Sequence, residues 1–424
     1  MYDWLIPIFL WFNTTGVTDY VPHDRNTYKM QIAVTGSFET NSNAVNAEML
    51  RFFLAGRYID NDMKDRSLKR MRDINRLGMD INADISFFHK PDSGLGKNWS
   101  YGINLGQRFL FGGQFSKDAY KLGFYGNAPY AGETLELGKL NARFLSYQYI
   151  SLGFVKEFKG EKWHKSLGFG LGLANANQFF SLSVPRGTLF TEQDGKYLDL
   201  DASYRISSND ASKNRYFYPN GFGLSGSLEF SMTDRKRHAF YLKATNFGVM
   251  RFNSFSNSRS LDTSLTFNGV EVDNVFGVNG DYLQNTLDSL ATNFGGNVAR
   301  GAELLPMPGT IEMGYSYTAI PRKLYLSALV DYTYFPGYVP RGTIRVTGVP
   351  DPFVSITGTF GYGGFGGFNG GVDLGFHFGE GWHFMLGTKS IQGIVAERTT
   401  SGLSGHAGII KRFGKRNNVN DEKK

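Results

Sequence analysis

Apolar and polar side chains alternate along most of this 424-residue chain, in stretches parted by short turn signals. The clearest case runs from Gly309 to Phe335. Ile311, Met313, Tyr315, Tyr317 and Ala319 alternate with Thr310, Glu312, Gly314, Ser316 and Thr318. After the connection Ile320-Pro321-Arg322-Lys323, the residues Leu324, Leu326, Ala328, Val330, Tyr332 and Tyr334 stand mostly against Tyr325, Ser327, Asp331 and Thr333. Side chains of a strand switch faces at every residue, so this pattern predicts an antiparallel hairpin with one apolar face. Tyr315 and Tyr317 close one end of the first apolar face, and Tyr332 and Tyr334 one end of the second. Tyrosine suits the boundary of hydrocarbon and water, and about 9–11 residues cross an outer membrane as a strand, so these four are expected to be membrane-interface aromatics.

The pattern recurs along the chain. Tyr28 to Glu39 alternates over its whole length. Met79 to Phe87 and Trp99 to Phe111 form a second hairpin around Pro91–Gly96, with Asp80, Asn104 and Arg108 on the face opposite the apolar one, as a wet lumen requires. Residues 143–158 and 165–183 follow; within them Gly168, Gly170, Gly172 and Ala174 make an all-small face that admits a close backbone, such as a plugging segment. Further strands are expected at Phe222–Met232, from Phe240 to Ala244, around Tyr197–Tyr204 and Thr263–Phe267, and at Phe353–Phe360, Val372–Phe378, Trp382–Leu386 and Leu403–Phe413. The count is about 14. Two stretches break the pattern: Met63 to Asn75 has helical character and dense charge, and Leu283, Leu287, Leu290 and Phe294 recur at helical spacing.

Composition narrows the class. The mean hydropathy of −0.29 and a longest apolar run of Trp4 to Phe12 fall short of the roughly 20 apolar residues of a spanning helix. Half of each barrel strand faces a polar lumen, so barrels escape hydropathy searches. There is no cysteine, which excludes disulfides, thiol chemistry and a lipid anchor on cysteine. The net charge of +7 is scattered over turns and tails, as at Arg235-Lys236-Arg237 and Lys415-Arg416, and is not a nucleic-acid footprint. The expected fold class is therefore an all-β transmembrane antiparallel β-barrel with short helical insertions. It would fill residues 28–413, between a signal or N-terminal segment at 1–27 and a polar tail at 414–424. Met1-Tyr2-Asp3 lacks the positive charge of a secretion signal, and no cleavage-like site follows Phe12, which points to a misassigned signal region.

Phe124-Tyr-Gly-Asn-Ala-Pro-Tyr-Ala-Gly132, Asn246-Phe-Gly-Val-Met-Arg-Phe252 and Leu287-Asp-Ser-Leu290 with Leu305-Pro306 resemble, in order and spacing, an uncharacterised family of Bacteroidota outer-membrane barrels. That family is distantly similar to the long-chain fatty-acid transporter type. The resemblance implies one barrel in the bacterial outer membrane and no particular activity.

No motif carries catalysis, and no cofactor is expected. The histidines form no H-E-x-x-H or other metal pair. His377 and His383 flank one turn and read as a solvated pair. Asp60-Asn61-Asp62 lacks the glycine and glutamate of a calcium loop and reads as a charged helix start. Ser404 and His406 share a strand face; a barrel lipid hydrolase would need such a serine and histidine to meet at the outer surface. The expected function is non-enzymatic: passage or binding of a small apolar molecule, gated by inward polar residues and a luminal segment. The alternative is a barrel subunit of a surface-secretion or assembly complex, contacting protein partners through loops 184–219 and 253–307. Outer-membrane lipid is the common partner of both readings.

Overall fold

The computed structural model describes residues 28–91, 98–209, 218–234, 237–268, 297–379 and 381–415. Its strands are β1 (Tyr28–Ser42), β2 (Ile74–His89), β3 (Trp99–Ser116), β4 (Thr134–Glu136), β5 (Leu140–Lys159), β6 (Trp163–Thr191), β7 (Tyr197–Ser208), β8 (Gly221–Asp234), β9 (His238–Phe252) and β10 (Asn257–Asn268). They continue as β11 (Asn297–Arg300), β12 (Leu304–Pro306), β13 (Thr310–Ile320), β14 (Leu324–Thr333), β15 (Val339–Asp351), β16 (Val354–Gly364), β17 (Phe368–Phe378), β18 (Trp382–Thr388) and β19 (Leu403–Lys415). The helices are α1 (Ala47–Leu54), α2 (Asn61–Lys69), α3 (Lys117–Tyr125) and the single turn α4 (Gln392–Val395).

Fourteen of these strands close a ring in which every neighbour is antiparallel: β1, β2, β3, β5, β6, β8, β9, β13, β14, β15, β16, β17, β18 and β19. The last strand returns to the first, Met30 opposite Phe413 through Thr40 opposite Leu403. Closure leaves no open edge in the wall, the condition for a sheet to cross hydrocarbon. The count expected from alternation, about 14, matches the ring.

Register places six connections of the ring at the end that holds the chain ends. The connections after β5, β8, β13, β15 and β17 lie there, as does the one between His89 and Trp99. The long connections, and the two short loops after β14 and β16, lie at the opposite, distal end. There β6 runs on past the wall and pairs with β4 and β7, and β7 pairs with β10. Helices α1, α2 and α3 pack Ala44, Val45, Met49, Leu50, Met63, Met71 and Tyr120 into a distal cap. Each begins on a side chain that answers an orphan backbone amide: Asn46 Oδ1 accepts from Met49 N at 2.7 Å, Asp60 Oδ1 from Met63 N at 2.8 Å and Ser116 Oγ from Ala119 N at 3.0 Å. Asp60 is thus a helix cap, as its sequence context indicates. The charged stretch after Met63 is helical as far as Lys69 and sits at the barrel mouth. The helix expected at Leu283–Phe294 and the segment at 1–27 lie outside the described residues.

The wall is inside-out relative to a water-soluble sheet. Val34, Ile85, Leu105, Leu152, Leu171, Leu224, Leu228, Ile344, Phe360 and Leu386 all stand exposed on the outer face. In water each would forgo about 1.5–3 kcal/mol of burial, in sum more than the roughly 5–15 kcal/mol that holds a domain folded. Lipid removes that cost. The inner face carries Gln31, Asp84, Asn104, Arg108, Glu229, Asp331 and His406, all buried. At the end that holds the chain ends, Trp99 and Trp382 look outward under lysines, with Lys156 Nζ 5.3 Å and Lys411 Nζ 4.7 Å from their ring centroids.

Candidate functional site: a plugged lumen

The lumen is crossed at its distal end by two loops that fold inward. One follows β14 and carries Phe335, Pro336, Gly337 and Tyr338; the other follows β16 and carries Phe365 and Gly366. Strands β14 and β15 are ninth and tenth in the ring and β3 is third, so the first loop spans the barrel to the opposite wall. Its seat is a pair of glycines on β3. A Cβ at Gly112 would lie 2.5 Å from the Pro336 carbonyl oxygen, 2.6 Å from the Phe335 ring and 2.7 Å from the Phe365 ring. Gly337 (φ +77°) comes so close to the Gly113 backbone that no side chain fits between them. Phe365 lies directly on Gly78 of β2, and Gly366 on Asn41 of β1. The two loops meet where Tyr338 and Phe365 stack edge to face, with centroids 5.0 Å apart. The plugging segment expected against Gly168–Ala174 of β6 therefore sits elsewhere, on Gly78, Gly112 and Gly113. On β6 the small face makes room for a neighbour's side chain instead: a Cβ at Gly172 would meet Ser225 Oγ at 2.6 Å.

The plug rings rest on an apolar patch of the inner wall: Leu110, Leu145, Tyr147, Tyr149, Phe179, Met250, Phe252, Leu305 and Met307. Phe179 and Phe252 lie 4.3 Å apart between centroids. The other side of the lumen is charged. A cavity of about 100 Å³ is lined by Glu39, Asp80, Glu312 and Asp331, with Arg108, Arg341, Arg345 and Lys389. That volume holds a few waters, at about 30 Å³ each. Arg108 grips Asp80 with two hydrogen bonds, Nε–Oδ1 at 3.0 Å and a second guanidinium nitrogen to Oδ2 at 2.8 Å. Arg341 donates to Asp331 Oδ1 at 3.0 Å and, across the lumen, to Glu39 Oε1 at 3.0 Å. Lys389 adds a bond to Glu39 Oε2 at 3.3 Å. The plug joins this network through the Tyr338 hydroxyl, which donates to Asp331. Asp80, Asn104 and Arg108, the polar face of the second hairpin, do line the lumen as expected.

Two expectations about histidine change. His377 and His383 do meet, Nδ1 to Nδ1 at 2.6 Å, but inside the lumen, where they are 8% and 6% exposed; they are buried, not solvated, because inward parity carries both into the barrel. His406 and Ser404 have different partners. His406 Nε2 lies 2.7 Å from Asp373 Oδ1, while Ser404 Oγ accepts from Lys389 N at 2.8 Å. The hydrolase pair read from spacing is not formed. Ser355 Oγ does lie 3.3 Å from His377 Nε2, but in the lumen, away from the face that lipid would touch. Among the described residues no group of three or more histidine, cysteine or acidic side chains could hold a metal ion.

Tyr315 and Tyr317 lie at the end that holds the chain ends, and Tyr332 and Tyr334 at the distal end, so each end of the hairpin carries its own pair. Tyr315 and Tyr334 are exposed. The Tyr315 hydroxyl pairs with His238 Nδ1 at 2.7 Å, and the Tyr317 hydroxyl accepts from Arg237 at 3.0 Å. Of the stretches that carried the resemblance, Phe124–Gly132 lies in the distal cap. Asn246–Phe252 lies on β9, where Asn246 takes φ +58°; Leu287–Leu290 lies outside the described residues.

A closed ring of antiparallel strands, even in number, apolar outside, polar inside, with short turns at the end of the chain termini, defines a transmembrane β-barrel of the bacterial outer membrane. The chain belongs to the family of unknown function DUF5723, whose model matches residues 22–388. That agrees with a family of no settled activity; the Bacteroidota attribution is no part of what the match shows. No curated protein matches the sequence. Among solved structures, the chain is similar to the Ralstonia pickettii toluene transporter TbuX, with 9% identity, 91% of this chain and 90% of that chain covered, and a TM-score of 0.45. It is similar also to the Pseudomonas putida toluene transporter TodX, with 7% identity, 90% and 87% covered and 0.41, and to a Pseudomonas aeruginosa FadL homologue, with 7%, 90%, 89% and 0.39.

Proposed function

We propose that this barrel passes a small apolar molecule across the outer membrane and that the two inward loops are its gate. One observation carries the reading: the apolar patch of the inner wall is covered by Phe335 and Phe365, rings borne on loops rather than on strands. When the loops withdraw, that patch is left as a chamber of aliphatic and aromatic side chains, and a small apolar ligand replaces the rings. The charged cavity beside it is charge-balanced, four acidic against four basic groups, so these side chains carry no net charge. In this reading Tyr315, Tyr317, Tyr332 and Tyr334 sit in the two interfacial girdles.

Native mass spectrometry of the barrel taken from its own membranes in mild detergent tests this. A monomer with a reproducible small apolar adduct, lost in a Leu110→Asp or Phe252→Asp variant that still folds, is the expected result. No adduct, together with no saturable uptake of an apolar fluorescent probe, refutes it. The same spectrum reads the alternative of a complex subunit, which would show stoichiometric protein partners. The distal extension of β6, β7 and β10 is the surface that favours that alternative.

A further inference from the structure

The loop between β18 and β19 does not only close the barrel; it forms part of the distal rim. On β17, Val372, Leu374 and Phe378 point outward, and Gly370 shares their parity. A Cβ at Gly370 would meet Gln392 and Ile391 of the α4 turn at 3.8 and 3.9 Å. The main chain carries the β17–β18 ladder on to this turn: Ile391 N donates to Gly370 O at 2.7 Å, and Gln392 Oε1 accepts from Gly370 N at 3.0 Å. Ile391 is thus on the outward side of Gly370, Gln392 reaches Asn369 Oδ1 at 3.1 Å, and helix α4 sits on the distal rim beside Phe368, which is 61% exposed. It presents Ile394 and Val395 at 64% and 76% exposed. The chain beyond α4 is tied to α1, with Glu48 N to Glu397 O at 3.1 Å, Ala47 N to Thr400 O at 2.8 Å and an Arg51–Glu397 ion pair at 3.0 Å. Helix α1 ends in Phe53 and Leu54, also exposed. Basic groups stand around the neighbouring Phe52 and after α4. The Arg51 and Arg57 guanidiniums lie 5.4 and 5.8 Å from the Phe52 ring, and Arg398 is exposed.

Apolar side chains that continue a lipid-facing belt, with arginines beside them, are the chemistry of an interfacial anchor on an anionic membrane surface. We propose that α4 and the end of α1 form such an anchor, set in the headgroup layer of the distal leaflet, with Ile394, Val395, Phe53 and Leu54 toward the acyl chains and Arg51, Arg57 and Arg398 toward lipid phosphates. This rests on the membrane-spanning reading of the barrel.

The lack of cysteine makes the test clean, because an introduced cysteine is the sole labelling site. Nitroxide labels go on Phe53→Cys and Val395→Cys, on Phe360→Cys as a belt control and on Asp194→Cys as an aqueous control. The barrels are reconstituted in phosphatidylcholine vesicles with and without phosphatidylglycerol, and collision with oxygen is compared with collision with a water-soluble nickel chelate. The anchor predicts that labels at 53 and 395 favour oxygen, between the two controls, and move toward the belt value when phosphatidylglycerol is present. Labels at 53 and 395 as open to nickel as the label at 194, while the label at 360 stays oxygen-rich, overturn the anchor and leave the barrel standing. Immersion unchanged by phosphatidylglycerol overturns the role of the arginines. A label at 360 open to nickel overturns the membrane-spanning reading, and the anchor with it.

Discussion

If the inward loops are a gate, Gly112→Val should open it. The valine Cβ would stand 2.5 Å from the Pro336 carbonyl oxygen and within 2.7 Å of both plug rings, roughly 1 Å inside ordinary contact. The oxygen belongs to backbone and cannot rotate away, so the loop itself must move. Forcing extra methyl groups into a packed site costs about 1–3 kcal/mol. That cost falls on the seated loop alone, because Pro336, Phe335 and Phe365 meet residue 112 only when they are folded in. The balance between seated and withdrawn loops therefore shifts by the same amount, about 5–150-fold. Single-channel recording in planar bilayers reads this directly: rare openings in the unaltered barrel and a 5–150-fold greater open time in the variant. Gly358→Val, on β16, has no neighbour within 4 Å to meet and is the matched control. Heat-modifiable gel mobility checks that each variant is folded. A folded Gly112→Val barrel with unaltered open time would refute the gate.

The remaining expectations concern the network and the cap. Arg341→Gln leaves Asp331 and Glu39 without their shared cation and should lower stability by about 3–5 kcal/mol; an unchanged urea midpoint in vesicles would rule the network out as structural. Gly387→Ala puts a methyl against Asp373 Oδ1 and 2.7 Å from His406 Nε2, so the pair should part at a cost of about 1–3 kcal/mol, seen as a lower melting temperature and a shifted His406 ring resonance. In the cap, burial pushes the Tyr120 hydroxyl well above its ordinary ionisation range; the nearby Asp65 adds to this, while a bond with Ser67 opposes it. A folded value above the unfolded one, near 10, means the contribution is whole below about pH 10 and is lost as pH rises beyond it. Near-ultraviolet circular dichroism should show the cap loosening above about pH 10 in the native chain and not in Tyr120→Phe; identical titrations would contradict this.

Much of the wall could be read from alternation because lipid outside and water inside impose opposite chemistry on successive residues. The hairpin of β13 and β14, the faces of β2 and β3 and the last strand all follow from that rule alone. The plug did not follow, for a physical reason. Phe335-Pro336-Gly337-Tyr338 and Gly364–Gly367 look like ordinary turns, and whether a turn bends outward or inward is decided by a partner far away in sequence. That partner, Gly78 with Gly112 and Gly113, reads locally as a weak spot in two strands. An aromatic turn together with Gly78 and Gly112 on inward positions was the signal available. His377 and His383 were placed together correctly, but their burial depended on the lumen being packed, which periodicity does not reveal. Helix α2 was foreshadowed by the charged stretch Met63–Asn75, while α1 was not, and the seat of α4 at Gly370 has no periodic trace.

The seam between β1 and β19 carries a consequence for assembly. Twelve residue pairs join the first strand to the last, and each links positions near opposite ends of the chain. Until β19 arrives, β1 presents a long unpaired edge, and bringing the two together closes almost the entire chain into one loop, whose entropy cost grows only as the logarithm of its length. The obstacle is thus less the loop than the wait: the half-built sheet is a template for any other strand. A chain that ends before Leu403 would retain thirteen wall strands and two sticky edges, and its fate would be partnership with a neighbour or aggregation rather than a smaller pore.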